Sequence, residues 1–497
     1  MGWGTRIVLR FTTIPAFVLS AVLIARASPT LDLPDLPAPA TTQPTQAIFP
    51  IDLDTCLRLA ENENPRIAGA RMAILEAQAW RQRACAMLLP SLNAGSSYHG
   101  HDGNLQRPSG RILSLSEQSL YVGGGARAIG SQTIAIPAVL ILAPLTDALF
   151  EPLAARRKVE AARESARATA NDVFLEVAVL YQELACAAAN LKTQRELMPN
   201  VEEVARITRD FALAGEGRAA DADRALTERN LLIAEIQKTE GSLFAASARL
   251  AERLNLDPTT RLVPASQDFQ ALTIIDDRLP IADLIRVAVN QRPELAEGDA
   301  MIAEAGARVQ QERWRPWLPT LWMGGSGGVF GGGSNLVPPT IGNFGGRTDF
   351  DVRAFWTLLN FGAGNRALQR QRMAERGQAV ARRQASLNLV REQIASAQAG
   401  SIAARAQIDQ RARAVLLAEE GFNQDLARTR EGQGRPIEVL NNLNRLVRAR
   451  LDLNISVLDY VSEQLRLYVA LGSPPPPTGF STGTSGGTSL TTSPSAR

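Results

Sequence analysis

The chain carries one plan twice, and that constrains its fold more than any other feature. Leu57-Arg58-Leu59-Ala60-Glu61-Asn62-Glu63-Asn64-Pro65-Arg66-Ile67-Ala68 aligns without a gap with Ile285-Arg286-Val287-Ala288-Val289-Asn290-Gln291-Arg292-Pro293-Glu294-Leu295-Ala296, at an offset of 228. Further on each copy reads Leu-Pro-small-Leu, at Leu89-Pro90-Ser91-Leu92 and Leu318-Pro319-Thr320-Leu321, now offset by 229. Gly215-Glu216-Gly217-Arg218 matches Gly432-Gln433-Gly434-Arg435 at an offset of 217, and Leu254 and Leu471 close the two copies at the same offset. Solenoid repeats run to only ~20–50 residues. The pattern is therefore an internal duplication of a whole unit, spanning 51–271 and 272–472.

Each unit opens with a helical stretch, 51–88 and 279–315, then turns irregular over 91–146 and 320–362. A very long helical stretch follows, 151–214 and 363–431, whose only prolines are Pro152 and Pro199. A Gly-x-Gly breaks it, and a further helix runs to Leu254 or Leu471. Phe174, Val177, Tyr181, Leu184, Ala188 and Leu191 step by three and four, as do Leu387, Val390, Ile394, Ala397, Ser401, Ala404 and Ile408. Sustained spacing of ~3.5 residues marks coiled-coil packing. The last helix carries two seams, Leu446-Arg450-Leu453-Val457-Tyr460 and Leu451-Ile455-Leu458-Ser462-Leu465-Val469, so it has neighbours on both sides. The long helices span roughly 95–105 Å at 1.5 Å per residue, and two shorter helices laid end to end match that length. A hollow cylinder about 100 Å tall is the simplest object built from such columns.

The irregular regions read as strands. Thr133–Leu142 alternates and then becomes continuously apolar, and Asp349–Leu358 alternates cleanly. With Leu92–Gly100 and Leu321–Gly328 they predict two strands per unit and four per chain. Apolar–polar alternation over ~10 residues is the signal of a transmembrane strand. Four strands cannot close, and open edges are not tolerated in lipid. The chain must then oligomerise to complete a barrel.

Arg6 and Arg10 precede an apolar run, Phe11–Ala25, and a small-x-small site at Ala25-Arg26-Ala27, so residues 1–27 read as a signal peptide. Residues 28–50 are Pro/Thr/Ala-rich and read as an extended linker. Pro474–Pro477 stops the last helix, and 473–497 is a Pro/Gly/Ser/Thr tail without apolar periodicity. Cys56, Cys85 and Cys186 are odd in number and lie in Ala/Leu-rich helical contexts, which predicts buried small residues rather than a disulfide.

The remaining motifs carry little chemistry. Net charge is +3, from 53 basic and 50 acidic residues, which gives no bulk attraction for nucleic acid. The glycine runs Gly123–Gly125 and Gly324–Gly333 lack the Gly-Lys-Ser/Thr of a phosphate loop and are expected as loops between strands. His99 and His101 have only Asp102 beside them, a poor metal set, and are expected as solvated strand-loop positions. No catalytic constellation, cofactor motif or metal cage stands out. Trp314, Trp317 and Trp322 bracket the second helix-to-strand turn, either at a bilayer interface, where indoles are favoured, or in ordinary packing at a helix end. At the two Gly-x-Gly turns, Gly215, Gly217, Gly432 and Gly434 supply turn conformations. Asp221 and Glu438 fall in the first turn of the next helix, where its dipole favours a carboxylate, and Arg218 and Arg435 precede it.

Taken in order, these features resemble the TolC-type outer membrane factor family over about 51–472. The resemblance rests on the duplicated Ala-x-Asn-x-x-Pro at 60–65 and 288–293, the Leu-Pro turn into the first strand of each half, and the glycine tips. Phe355-Trp356-Thr357-Leu358-Leu359-Asn360-Phe361-Gly362 looks like the family's turn from second strand to long helix; Ala143-Pro144-Leu145-Thr146-Asp147 departs from it. The resemblance implies a fold mainly α with a membrane β-barrel contribution: a homotrimer with a shared 12-stranded barrel in outer membrane lipid and an α-helical barrel across the periplasm. It implies that the tips, with Gly215, Gly217, Arg218, Asp221, Gly432, Gly434, Arg435 and Glu438, meet a periplasmic adaptor and close the channel. An inner-membrane transporter of RND or ABC type would feed it. Drug or metal efflux and type I protein secretion both stay open, with a poreless exported coiled coil as the rival outside the channel class.

The tail generates a first prediction. Deleting from Thr478 onward should leave assembly and export intact, as read by native gels of the membrane fraction and by a transport assay.

Overall fold

The computed structural model describes residues 48–129, 132–266, 269–339, 341–431 and 433–474. The expected signal peptide, the linker up to residue 47 and the tail from residue 475 lie outside the described residues, as does Gly432. In chain order the elements are β1 (Ile48–Ile51), α1 (Leu53–Glu63), α2 (Pro65–Cys85), β2 (Ser91–Leu92), β3 (Ala94–Gln106), β4 (Ile112–Ala126), β5 (Ile136–Pro137), β6 (Val139–Pro144), α3 (Leu145–Leu213), α4 (Ala219–Arg253), β7 (Arg261–Pro264), α5 (Ile281–Gln291), α6 (Pro293–Trp314), β8 (Thr320–Ser334), β9 (Gly345–Phe355), α7 (Ala363–Arg430) and α8 (Pro436–Ala470). The chain divides into two units. One comprises Gln82–Pro152 and Arg308–Gln371; the other takes the remaining described residues.

In the second unit the coiled-coil seams are buried. Val177, Tyr181, Leu184 and Leu191 of α3 join Leu243, Leu250 and Ala251 of α4, Ala404 of α7, and Val457, Tyr460 and Leu465 of α8 in one core. Nearer the tips, Val201 and Val204 of α3 pack with Ala225 and Leu232 of α4, Phe422 of α7, and Leu440 and Leu443 of α8. A third cluster joins Leu284 and Ala288 of α5 to Val390, Ile394 and Ala397 of α7 and Leu467 of α8. One seam of α8 is only partly covered within the chain, and its Ile455 is exposed. The long helices α3 and α7 have 69 and 68 residues.

Two expectations need correction here. The expected linker ends before residue 50, because Ile48–Ile51 forms β1 and pairs in parallel with β7, from Ile48 opposite Arg261 to Ile51 opposite Pro264. The opening helices of both halves are broken, at Asn64–Pro65 and at Arg292–Pro293. A proline has no amide to donate and pushes the preceding residue out of helical space; Asn64 (ψ 122°) and Arg292 (ψ 121°) are extended.

Each break is pinned to the end of the half's last helix. Asn64 Nδ2 donates to the Arg253 carbonyl at 2.8 Å, and Arg292 Nε donates to the Ala470 carbonyl at 3.0 Å. Asn64 and Arg292 are 228 residues apart, Arg253 and Ala470 217 apart, so both partners sit at matched positions of the two copies. Arg292 is buried and also donates to Glu294 at 2.6 Å and to Gln393. Burial raises the carboxyl of the nearby Asp172, with the Glu294 charge adding to the rise and Arg292 and Arg66 opposing it. Within the second half, Gln464 of α8 is fully buried. Its Oε1 accepts from the amides of Ile274 and Ile275 at 2.9 and 2.7 Å, and its Nε2 donates to Asp277 at 2.8 Å and Ser401 at 2.7 Å.

The first unit holds the main sheet. β3 and β4 form an antiparallel hairpin from Ala94 opposite Gly124 to Gln106 opposite Ile112. β8 pairs with β4 over Gly327–Ser334, with β6 over Thr320–Gly325, and along its other edge with β9. β2 pairs with β6. The sheet thus has four lanes: β2 with β3, β4 with β6, β8, and β9. The strand expected over Thr133–Leu142 is only partly one. Ile136–Pro137 and Val139–Pro144 are extended in the sheet, and the body of that lane is β4, whose mixed faces (Leu115, Glu117, Ser119, Tyr121 against Ser114, Ser116, Gln118, Leu120) gave no clean alternation.

The glycine runs are not loops. Gly123–Gly125 lie within β4 and Gly324–Gly333 within β8, where Gly123 faces Gly328 and Gly124 faces Gly327. A Cβ on Gly328 would meet the Val122 carbonyl at 2.6 Å and the Tyr121 hydroxyl at 2.7 Å; one on Gly332 would meet the Gln118 carbonyl at 2.2 Å. Close backbone approach selects glycine in these strands.

Replacing Arg292 by methionine strips the buried break of its donors. Removing one member of a buried polar set costs roughly 3 kcal/mol, whereas Arg66→Met, which breaks the half-exposed pair with Glu176 at 3.0 Å, should cost under about 1 kcal/mol. Thermal unfolding of the two variants followed by circular dichroism should show that order.

Candidate functional site

Two surfaces carry the chemistry a chain of this kind needs: the faces of the sheet and the helix-turn tips. Pairing fixes which residues share a face. One face presents Tyr98, Leu120, Val122, Ile141, Met323, Val329, Phe350 and Val352. Tyr98, Val122, Val329, Phe350 and Val352 are exposed, although they are large and apolar. Along β8 this band runs from Leu321 to Val329, close to the ~9–11 residues that a tilted strand needs to cross a bilayer. Beyond it the same face turns polar at Asp102, Ser114 and Ser116.

The opposite face holds the charged side chains, alongside Leu140, Leu142, Tyr121, Trp322 and Phe330. It carries His99, His101, Glu117, Ser119, Ser326, Arg347, Asp349, Asp351 and Arg353. Arg347 Nε donates to Asp349 at 2.8 Å, and the Arg353 guanidinium lies over the Trp322 ring at 4.5 Å while meeting Asp351 at 3.6 Å. His99 and His101 lie within β3. His99 Nε2 lies 3.9 Å from Glu117, and His101 Nε2 is buried without a hydrogen-bond partner. Among the described residues no three His, Cys, Asp or Glu side chains gather as metal ligands. No described helix is long and apolar enough to cross a membrane.

The three tryptophans part company. Trp322 lies on the polar face against Arg353, away from the apolar band. Trp314, the last residue of α6, and Trp317 are exposed. Trp356, which spacing did not single out, donates its indole N–H to the Trp317 carbonyl at 3.1 Å, and Phe361 beyond it is fully exposed. The aromatic content of 355–362 was the available signal.

At the first tip Gly215 has φ +80°, and the Gly217 amide donates to the Phe211 carbonyl at 3.0 Å. At the second the Gly434 amide donates to the Arg428 carbonyl at 3.1 Å, the matched bond 217 residues on. Arg218 and Arg435 then take the N-cap positions of α4 and α8 in extended conformation, and their carbonyls accept from Asp221 and Glu438 at 3.0 and 2.9 Å. Asp221 pairs with Arg224 at 3.1 Å. Arg218, Arg435 and Glu438 are exposed and make no ion pair among the described residues. Below the tips Glu203 of α3 meets Arg430 of α7 at 3.5 Å.

The cysteines are free. Cys56 and Cys186 are buried, and Cys85 is exposed, against expectation. Desolvation raises both buried thiols, that of Cys186 to about 12, so neither is a reactive thiolate.

Residues 284–473 match the family model described as outer membrane efflux protein. No curated protein matches the chain. Among solved structures, the chain is similar to the outer-membrane channel OprN at 17% identity, covering 84% of this chain and 89% of that one with a TM-score of 0.67. CusC, described for its transmembrane channel formation, is 19% identical over 88% of this chain and 97% of its own, with a TM-score of 0.68. The outer membrane protein VceC of Vibrio cholerae is 17% identical over 84% and 96%, with a TM-score of 0.64. The fold is that of TolC-type outer membrane channels, mostly helical with a β-sheet part.

Proposed function

We propose that this chain is one protomer of a trimeric outer membrane exit channel, fed by an inner-membrane transporter of RND or ABC type through a periplasmic adaptor. One observation carries the reading: a four-lane sheet with one apolar and one polar face whose outer strands, β3 and β9, each pair on one side only. An apolar outer face with a polar lining is the pattern of a membrane barrel. Unpaired edges are too costly in lipid to persist. Three copies joined edge to edge give a closed barrel of twelve lanes with the polar face inward. The exposed Leu389, Ile402, Leu416, Leu417 and Ile455 of α7 and α8 fit helices that find their remaining partners in a neighbouring copy.

The glycine tips are the adaptor-facing ends in this reading. Their arginines are exposed and make no ion pair among the described residues, and three copies bring six together with six first-turn carboxylates. Exposed pairs contribute only ~0–1 kcal/mol each, so such a ring is opened by a partner that binds the open form better.

Light scattering of detergent-solubilised protein should give three chains per particle; a monodisperse monomer refutes the barrel. Replacing Arg218 and Arg435 together with alanine should leave the trimer intact and raise single-channel conductance in planar bilayers. Unchanged conductance and unchanged cross-linking to the adaptor would reduce the arginines to helix-cap residues.

A further inference from the structure

The repeat offset falls from 229 at the Leu-Pro turns to 217 at the tips, so over this stretch the first copy is longer by a net twelve residues. The sheet shows where they are. β8 is faced first by β6 and then by β4, as if by one strand, yet between Ala126 and Val139 the chain leaves that lane and returns to it. The excursion has a short paired base, Gly125 opposite Pro137 and Ala126 opposite Ile136. Asn93 bridges the gap beneath: its amide donates to the Ala138 carbonyl at 2.7 Å, its side chain to the Pro137 carbonyl at 2.8 Å, and its own carbonyl accepts from Gly125 at 2.9 Å. β9 in the second copy has no such interruption.

The excursion lies on the polar face. Ala128 and Ile134 are buried in a cluster with Tyr121 and Phe330, which share that face. The Ala128 amide donates to Ser97 Oγ at 3.1 Å, and Arg347 donates to the Gln132 carbonyl; Ser97 and Arg347 also belong to the polar face. Gly324 and Gly328 on the same face leave room for Pro137 and for Tyr121. A Cβ on Gly324 would strike the Pro137 ring at 2.4 Å, and one on Gly328 the Tyr121 ring. The segment is thus anchored by backbone pairing at its base, a small apolar core and two side-chain hydrogen bonds. Arg127 is its only charged residue and is exposed, with φ 58°.

We propose that residues 127–129 and 132–138 belong to a fixed strap inside the barrel that narrows the exit pore and presents the Arg127 guanidinium to passing solutes. The proposal rests on the channel reading, under which the polar face lines the lumen. Three straps would then project inward at one level, with three arginines that favour anionic over cationic solutes.

The test uses the full chain in planar bilayers. In a Cys85→Ser background, Arg127→Cys should label with a membrane-impermeant methanethiosulfonate, and each modification should bring a stepwise loss of conductance. Arg127→Glu should move the reversal potential in a salt gradient toward cation preference. Deleting 127–138 should raise conductance, and the cysteine variant keeps the test open if the deletion does not assemble. Complete labelling, verified by mass spectrometry, with unaltered conductance overturns the narrowing. A reversal potential that ignores the charge change overturns the role of Arg127. Absence of any channel from the unaltered chain would instead overturn the channel reading.

Discussion

The need of backbone amides and carbonyls for partners dictates most of this molecule. In the sheet every interior lane is paired on both sides, and even the place where the chain leaves its lane is stitched by Asn93 on three hydrogen bonds. A backbone group left without a partner away from water costs free energy comparable to a lost hydrogen bond, and Asn93 supplies partners where one lane is interrupted. The same demand recurs at the helix breaks. Asn64 and Arg292 reach the last carbonyls of α4 and α8, groups that a helix end leaves without partners.

Much of the helical part was legible in the sequence, because it is written in spacing. The seams of α3 and α7 are steps of three and four, and Val177, Leu184, Val390 and Ile394 are buried in the structure. Pro65 and Pro293 mark the two breaks in the sequence, although helix-forming residues flank each of them. The sheet was harder. β4 carries serine and glycine on both faces, so no period of two stands out. Thr133–Leu142 does alternate, yet Ile134 gains its burial by packing on the face of the sheet rather than by standing in a strand. Glycine misled in the same way. It was read as a loop former, while in β4 and β8 it is chosen for what it lacks, a Cβ where Tyr121 and Pro137 must fit.

The site residues divide similarly. The tip turns follow from local chemistry: glycine at a helix end, an acidic residue in the next first turn. Which arginine each carboxylate meets did not follow, and Asp221 turned out to face Arg224. Trp322 could not be assigned a face until β8 had a register, because a shift of one residue exchanges the two faces of a strand. The surplus of residues in the first copy was visible as a change in repeat offset, but only the pairing of β8 with both β4 and β6 gives it a location.

Gln464 is used at both ends of its amide, two backbone N–H groups on the oxygen and two side-chain oxygens on the nitrogen. A carboxylate has the same shape and could keep the first pair, but it has nothing to donate to Asp277 or Ser401 and would set a second negative charge against Asp277. The clasp between α8 and the segment leading into α5 is therefore sensitive to chemical ageing at a single atom. Hydrolysis of that one amide would convert a buried clasp into a buried repulsion, with no change in the volume of the side chain.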